Sequence, residues 1–417
     1  MLVACLSIIA GHAQGYYKDI FIDGGVKLNS MKRMPAADLL GLSVEYYASS
    51  RLSTALPPTS QDTLIQRELI VGNDLDLNGI LLYPDGAPRF RLIYVNGGKA
   101  ANHGLSLGED GLSRIRQFVE HGGSFVGTCA GAFLSSAATI RADTIFPRTS
   151  YLQIWPGVTR GTGLYNSFTG MKVEKNSPLL KFDQFGGDMY IDSIRHNGGC
   201  YAWTESGFPK ETEVLLRYDY PEKINGRSIH NEISAWAYKK NTTTGRVVAI
   251  GSHPEAVTSG ERLDLMAAMI SYSLDGNGTP QIKGELEKGK KRNMYKSTSD
   301  NNPDSTMIGD KQYHHFVVDI PEKARNITLT LSGDNAYDLF LYMKKDDFAF
   351  ARESDYKDVS PGAVKKARFD KLQAGVWYVA VECYTTVDVK LTDWGYEYTG
   401  PTGVLNGVPY SLLVEWE

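Results

Sequence analysis

The chain has 417 residues, of which 42% are hydrophobic and 22% are charged, and its formal net charge is -4. A chain of this length exceeds what one hydrophobic core usually serves, so we expect two domains. The absence of a basic excess excludes the electrostatic signature of a nucleic-acid-binding protein, and we expect no nucleic-acid partner.

The first candidate element is the N-terminal segment 1–14. It is largely apolar and ends in small residues at the positions that a signal peptidase prefers. The segment is too short to span a bilayer, and we expect no membrane span elsewhere. We therefore predict a signal peptide and an extracytoplasmic protein, either periplasmic or secreted. A buried N-terminal strand is the alternative.

From residue 15 to residue 275, strand-like apolar runs alternate with segments of helical period. This alternation predicts an α/β domain with a doubly wound, mostly parallel sheet. In such sheets functional residues lie at the carboxyl ends of the strands. The predicted strands are 19–23, 43–47, 91–95, 124–128 and 246–250, and the predicted helices are 31–40, 107–121 and 261–274.

A candidate nucleophile lies in the segment Gly127-Thr128-Cys129-Ala130-Gly131, between a predicted strand and a short apolar stretch. A sharp strand-to-helix turn with glycines on both sides would place the thiol at its apex. The N-terminus of the following helix would lower the pKa of that thiol. A buried structural cysteine between a strand and a helix is the alternative.

A second motif, Gly251-Ser252-His253-Pro254-Glu255, follows the predicted strand 246–250. A thiol nucleophile needs a base that takes its proton, and the base needs an acid that fixes its tautomer. Cys129, His253 and Glu255 together provide these three roles.

These two motifs together resemble the signature of the class I glutamine amidotransferase superfamily. Within it, the segments Val95-Asn96-Gly97-Gly98 and Arg195-His196-Asn197-Gly198-Gly199 resemble the group related to the N-terminal domain of biotin protein ligases. The resemblance covers residues 17–275 and implies a flavodoxin-like fold. It also implies that Cys129, His253 and Glu255 form a catalytic triad that attacks a carboxamide or related carbonyl and passes through a thioester.

The same resemblance implies an oxyanion hole made by backbone amides of Ala130 and of Gly97 or Gly98. A plain turn is the alternative for the two glycines. Asn197, Gly198 and Gly199 are candidates for a substrate-binding wall, and a hairpin turn is the alternative for them. Aromatic residues of the segment 149–168 form a further pocket wall or belong to the core; they are Tyr151, Trp155 and Tyr165.

The chain contains neither a synthetase domain nor a biotin ligase catalytic domain, so only the chemistry of the site transfers. We expect an exported cysteine-dependent hydrolase or amidotransferase-like enzyme that acts on a small-molecule or peptide amide. A non-catalytic binding protein and a cysteine peptidase-like enzyme are the alternatives. We expect no cofactor and no metal, since the remaining histidines show no ligand spacing and are predicted to be surface residues; they are His103, His121, His230, His314 and His315.

Residues 276–310 are rich in Gly, Lys, Asn, Ser and Asp and predict a linker. From residue 311 to residue 417 the apolar runs are short and alternating, which predicts a β-sandwich. The segments 334–342 and 372–379 resemble the bacterial pre-peptidase C-terminal domain. Such a module could contact a glycan or a cell surface through aromatic residues, or serve as a spacer; the aromatic candidates are Trp377, Tyr378, Trp394 and Tyr396.

Overall fold

The computed structural model describes residues 17–23, 34–47, 67–297, 304–392 and 395–417. The chain divides into two compact units. Over the described residues, the first unit contains the chain from residue 18 to residue 67 and residues 90–279, and the second contains residues 68–89 and 280–417. The predicted signal peptide and Trp394 lie outside the described residues.

The first unit is built from strands and a few helices. Its strands are β1 (Lys18–Asp23), β2 (Val44–Tyr47), β3 (Phe90–Val95), β4 (Ser124–Thr128), β5 (Ser136–Arg141), β6 (Thr144–Pro147), β7 (Trp155–Gly161), β8 (Ser167–Val173), β9 (Tyr190–His196), β10 (Cys200–Ala202), β11 (Thr212–Asp219), β12 (Lys223–Ile224), β13 (Arg227–Ser228), β14 (Ile233–Tyr238) and β15 (Val247–Ile250). Its α-helices are α1 (Pro35–Leu39), α2 (Ala100–Glu120), α3 (Ala130–Ser135) and α4 (Glu261–Leu274).

Most of these strands join one mixed, 13-stranded sheet in the order β2-β1-β3-β4-β15-β14-β10-β7-β5-β6, and β11, β8 and β9 extend it from β14. The strands β2, β1, β3, β4 and β15 are all parallel. Strands β3, β4 and β15 are buried along their whole length, as expected of parallel strands that are covered on both faces. Their carboxyl ends therefore meet at one edge of the sheet.

Helix α2 begins at Ala100, whereas the sequence pattern predicts a start at Leu107. Gly108 has φ 64° and ψ 178°, which divides α2 into two helical segments. Gly104 lies in the first segment, where a Cβ would come 1.7 Å from the carbonyl oxygen of Ser150. The glycines that permit this kink and this close approach also interrupt the apolar period, so the pattern detects only the second segment.

The second unit is a pair of packed sheets. A five-stranded sheet has the order β16-β18-β23-β20-β21, a four-stranded sheet has the order β17-β26-β19-β22, and β24 pairs with β25. The strands are β16 (Ile282–Glu285), β17 (Arg292–Met294), β18 (Tyr313–Ile320), β19 (Ile327–Gly333), β20 (Leu339–Lys345), β21 (Tyr356–Asp358), β22 (Lys365–Phe369), β23 (Gly375–Cys383), β24 (Asp388–Thr392), β25 (Gly395–Thr399) and β26 (Tyr410–Glu415).

One hydrophobic core joins the two larger sheets. Phe316 and Val379 come from the five-stranded sheet, and Leu329 and Leu412 come from the four-stranded sheet. Trp377, a candidate for a binding face, is also part of this core. An α/β domain with a large, mostly parallel sheet followed by an all-β module is the predicted fold class, and it is confirmed.

The second unit also includes residues 68–89, which precede most of the first unit in the chain. Arg89 forms a buried ion pair with Asp76 at 3.1 Å and donates a hydrogen bond to the carbonyl oxygen of Leu405 at 3.2 Å. Asp85 forms an ion pair with Lys283, and both side chains are buried. These contacts join residues far apart in sequence, so local periodicity cannot predict them.

The segment 276–310 differs from the predicted linker. Two of its stretches form β16 and β17, which pair with β18 and β26 of the sandwich. Lys283 and Met294 are buried in spite of the polar composition around them. The ion pair with Asp85 allows Lys283 to be buried, and composition alone cannot show such a partner.

None of the helices within the described ranges combines the length and the apolar character that crossing a membrane requires.

Candidate active site

Cys129 lies in the turn between β4 and α3, at the edge where the parallel strands end. Its φ of 50° and ψ of -102° are unusual for a residue with a side chain. Its amide donates a hydrogen bond to the carbonyl oxygen of Ile250 at 2.9 Å, which ties the turn to the end of β15. The residue is 4% exposed. The thiol is thus held on a strained, well-anchored turn.

The glycines on either side of Cys129 are required by close packing. A Cβ on Gly131 would lie 2.1 Å from the carbonyl oxygen of Val95, at the end of β3. A Cβ on Gly127 would lie 2.6 Å from the backbone carbon of Gly131. The Gly-x-Cys-x-Gly spacing therefore allows β3, β4 and α3 to approach each other around the thiol.

His253 and Glu255 follow β15 at the same edge of the sheet. The Nδ1 atom of His253 lies 2.8 Å from Oε1 of Glu255, and the carboxylate is almost fully buried. The amide of His253 donates to the carbonyl oxygen of Arg195 at 3.0 Å, which anchors the loop to β9. With Nδ1 engaged by Glu255, the Nε2 atom of the ring is left to serve the thiol.

The electrostatics couple these three residues. Burial alone would lower the pKa of His253, but its hydrogen bonds and charge interactions with Cys129 and Glu255 raise the pKa from 6.5 to about 10. Burial, together with the charge of Glu255, also raises the pKa of Tyr94 well above its usual value. The Tyr94 hydroxyl lies 2.9 Å from Oγ1 of Thr128, next to the nucleophile. The arrangement favours a thiolate and an imidazolium held side by side.

The predicted oxyanion residues lie around this group. A Cβ on Gly97 would come 2.4 Å from Cε1 of His253, so the backbone at Gly97 lies directly against the imidazole ring. Gly98 follows with φ 150°, and Ala130 is the first residue of α3. Their predicted role as oxyanion donors stays a prediction.

Asn197, Gly198 and Gly199 form the tight connection between β9 and β10. Gly198 and Gly199 have φ values of 91° and 92°, and the amide of Gly198 donates to the carbonyl oxygen of Leu164. A Cβ on Gly199 would lie 1.9 Å from the carbonyl oxygen of Gly251, two residues before His253. The segment therefore supports the loop that carries the histidine, and Asn197 is exposed beside it.

The aromatic candidates of segment 149–168 divide between core and surface. Trp155 and Tyr151 are buried, whereas Tyr165 is 71% exposed. A Cβ on Gly198 would lie 3.8 Å from the Tyr165 ring. Tyr165 is therefore the one of the three that borders the candidate site.

Three histidines predicted to be on the surface are buried instead, namely His103, His314 and His315. His103 lies on α2 with its Nε2 atom 2.6 Å from Oδ2 of Asp23, which ends β1. That pair belongs to the same sheet edge as the candidate triad. The pairing of the two side chains depends on the β1–β3 register and left no signal in the sequence.

Arg195 is a site residue that sequence reasoning did not single out. It forms an isolated antiparallel bridge with His253 and pairs on its other side with Phe168 of β8. Both Arg195 and Phe168 are exposed. The only available signal was the alternation of β9, in which His196 faces the interior. Burial and the charge of His253 lower the pKa of His196 to about 4.

Within the described ranges, no group of three or more His, Cys, Asp or Glu side chains is arranged to hold a metal ion.

Comparison with known protein families gives one match. Residues 87–277 match the model of the family described as "Biotin-protein ligase, N terminal". This stretch contains every candidate residue of the triad, of the oxyanion hole and of the Asn-Gly-Gly turn. No curated protein matches the chain.

Several solved structures are similar to parts of the chain. A glutamine amidotransferase is 16% identical with a TM-score of 0.33, and the alignment covers 61% of this chain and 98% of that one. A protein from Thermoplasma acidophilum named after GMP synthase is 12% identical with a TM-score of 0.34, over 62% of this chain and 94% of that one.

The pre-peptidase C-terminal domain of a collagenase from Bacillus anthracis is 14% identical with a TM-score of 0.22, over 33% of this chain and 99% of that one. The family match itself is confined to the first unit and the last residues before it. The predicted resemblance to the biotin-protein ligase N-terminal family is confirmed for residues 87–277.

Proposed function

We propose that the protein is a cysteine-dependent hydrolase or amidotransferase-like enzyme that acts on a carboxamide or another C–N bond. The observation that carries the proposal is the coupling of His253 to both Cys129 and Glu255. It raises the pKa of the imidazole to about 10, so the ring is a proton carrier beside a thiolate at neutral pH.

In the proposed reaction the Cys129 thiolate attacks the carbonyl carbon of the amide and forms a C–S bond. Negative charge moves to the carbonyl oxygen, where the backbone amides of Ala130 and of Gly97 or Gly98 would stabilise it. The imidazolium of His253 gives its Nε2 proton to the nitrogen as the C–N bond breaks, leaving a thioester. His253 then takes a proton from water, which attacks the thioester and releases the acid and the free thiol.

We also propose that the protein acts outside the cytoplasm, on the basis of the apolar segment 1–14 and its small terminal residues. Expression of the full chain with N-terminal sequencing of the exported fraction tests this. A mature chain that begins near residue 15 supports export, and a chain that is retained intact in the cytoplasm contradicts it.

Three substitutions, measured against a library of carboxamides and γ-glutamyl amides, test the chemistry. Cys129→Ala and His253→Ala should each lower turnover by roughly a thousandfold or more, because nucleophile and base act as one unit. Glu255→Gln should retain more activity, since the carboxylate orients the ring. A Cys129→Ala chain with full biological function would instead support a binding protein that retains the fold.

A further inference from the structure

We propose that Arg195 binds a carboxylate of the substrate, so that the amide on which Cys129 acts carries an anionic group close to the scissile bond. The inference rests on the proposed function and adds a substrate class to it. It begins from a row of three residues that cross neighbouring segments of the first unit: Phe168 on β8, Arg195 on β9 and His253 after β15.

The backbone fixes the direction of this row. Arg195 and His253 are directly opposed in an antiparallel bridge, with the amide of His253 bonded to the carbonyl oxygen of Arg195 at 3.0 Å. Side chains of directly opposed residues lie on the same face, with Cβ atoms about 5 Å apart. Because the His253 ring is directed toward Cys129, the Arg195 side chain leaves the backbone on the face where the thiol reacts.

The guanidinium of Arg195 is available for a ligand. The side chain is exposed and forms neither an ion pair nor a hydrogen bond with any residue that the structure describes. Its cross-strand neighbour Phe168 is 55% exposed, and Tyr165 is 71% exposed at the adjoining turn. An unpaired arginine between exposed aromatic rings and a catalytic base is a place where a charged ligand can be both held and partly shielded from water.

A carboxylate is the group that this geometry fits. The planar fork of a guanidinium donates two parallel hydrogen bonds to the two oxygens of a carboxylate, which orients the ligand as well as attracting it. One strand spacing separates Arg195 from His253, so the carboxylate would lie a few bonds from the carbonyl carbon that Cys129 attacks. The substrate class is therefore an N-acyl or amide compound with a nearby acid group.

Two matched thiol reagents test this without knowledge of the natural substrate. N-chloroacetylglycine carries a carboxylate, and N-chloroacetylglycinamide carries a neutral amide at the same place. The rate of alkylation of Cys129 by each is measured on the full chain at pH 7 and low salt, with peptide mapping to locate the label. The ratio of the two rates is compared with the ratio for N-acetylcysteine in solution.

In the unmodified chain the anionic reagent should be favoured about tenfold over the solution ratio, as expected for a charge-assisted hydrogen bond. Arg195→Ala should remove the preference, Arg195→Lys should keep part of it, and added salt should weaken it. Arg141→Ala is the matched control, because Arg141 is an exposed arginine at the end of β5, and it should leave the ratio unchanged. An unchanged rate with the neutral reagent shows that each variant is folded.

A preference that survives Arg195→Ala, or the absence of any preference in the unmodified chain, overturns the role of Arg195 while leaving the proposed chemistry intact. A Cys129 that reacts with neither reagent overturns the proposed function itself, and the inference with it. The two failures are therefore distinguishable in one experiment.

Discussion

Cys129 adopts a backbone conformation that a side chain rarely tolerates, and the surrounding contacts hold it there. A positive φ at a non-glycine residue costs about 1–3 kcal/mol. The hydrogen bond from its amide to Ile250 and the close approach of Gly131 to Val95 keep the turn in place. Such a turn presents the thiol to its histidine at the expense of local stability, which is typical of a catalytic elbow.

The titration of His253 should reveal the coupling with Cys129. Since the pKa in the folded chain is about 10 against an ordinary 6.5, the contribution of the protonated ring to the free energy of unfolding is complete below pH 6.5. It is lost as the pH rises through about 10. We expect the NMR signal of the His253 ring to report an imidazolium at pH 8, and Cys129→Ala to shift its titration to lower pH. A neutral ring at pH 7 in the unmodified chain would contradict the ion pair.

Gly97→Ala should disturb the base without unfolding the chain. The added methyl group would come 2.4 Å from Cε1 of His253, so the ring must move. Because a displacement of about 1 Å can cost a hundredfold in rate, we expect alkylation of Cys129 by iodoacetamide at pH 7 to slow by about that factor.

The matched control for this change is Gly161→Ala, where the nearest atom to the new methyl group is 3.9 Å away. It should leave the alkylation rate unchanged. Equal rates in the two variants would show that Gly97 does not position the histidine.

At the scale of the elements, the buried pair of His103 and Asp23 joins α2 to the end of β1. Both side chains are 1% exposed, and the two atoms are 2.6 Å apart. Breaking a buried pair by removal of one partner costs about 3–5 kcal/mol, so His103→Ala should lower the free energy of unfolding by about that amount. Denaturant titration measures it. Leu105→Ala, on the exposed side of the same helix segment, should cost far less, and equal losses would contradict a role for the pair.

The elements that carry the site could be predicted from the sequence, because their patterns are local. The sequence predicts β4 at its observed bounds, and β15 within one residue, since both are short apolar runs that end in glycine-rich motifs. Cys129, His253 and Glu255 follow from those motifs. Arg195 could not be found in this way, because an exposed arginine on a strand looks like any other until the bridge to His253 is known.

At the scale of the whole molecule, the sequence predicts two domains but not the parts from which the second is built. The stretch 68–89 lies among elements of the first unit and shows no pattern that assigns it elsewhere. Its membership depends on pairs such as Asp85 with Lys283 and Arg89 with Leu405. Composition also predicts a linker where β16 and β17 form, because few apolar residues are needed when a strand is paired on its edge.

A chain that ends at Thr279 should therefore be damaged beyond the loss of the sandwich. It lacks Lys283 and Leu405, so Asp85 and Arg89 lose partners that permit their burial. We expect trypsin to cut this chain after Arg89, a site that resists cleavage in the full chain. Cleavage at Arg89 that is equally fast in both chains would show that the C-terminal residues do not protect the stretch.

The placement of 68–89 also has a consequence for the order of synthesis. Asp85 leaves the ribosome 198 residues before Lys283, its partner in the second unit. At about 5–20 residues per second, this stretch waits on the order of 10–40 s for the strands that complete it. Its neighbours in sequence can form the parallel sheet during that interval, whereas the sandwich cannot close until translation is nearly finished. The module at the end of the chain is thus not a cassette that could be inherited alone, because part of it is encoded near the beginning.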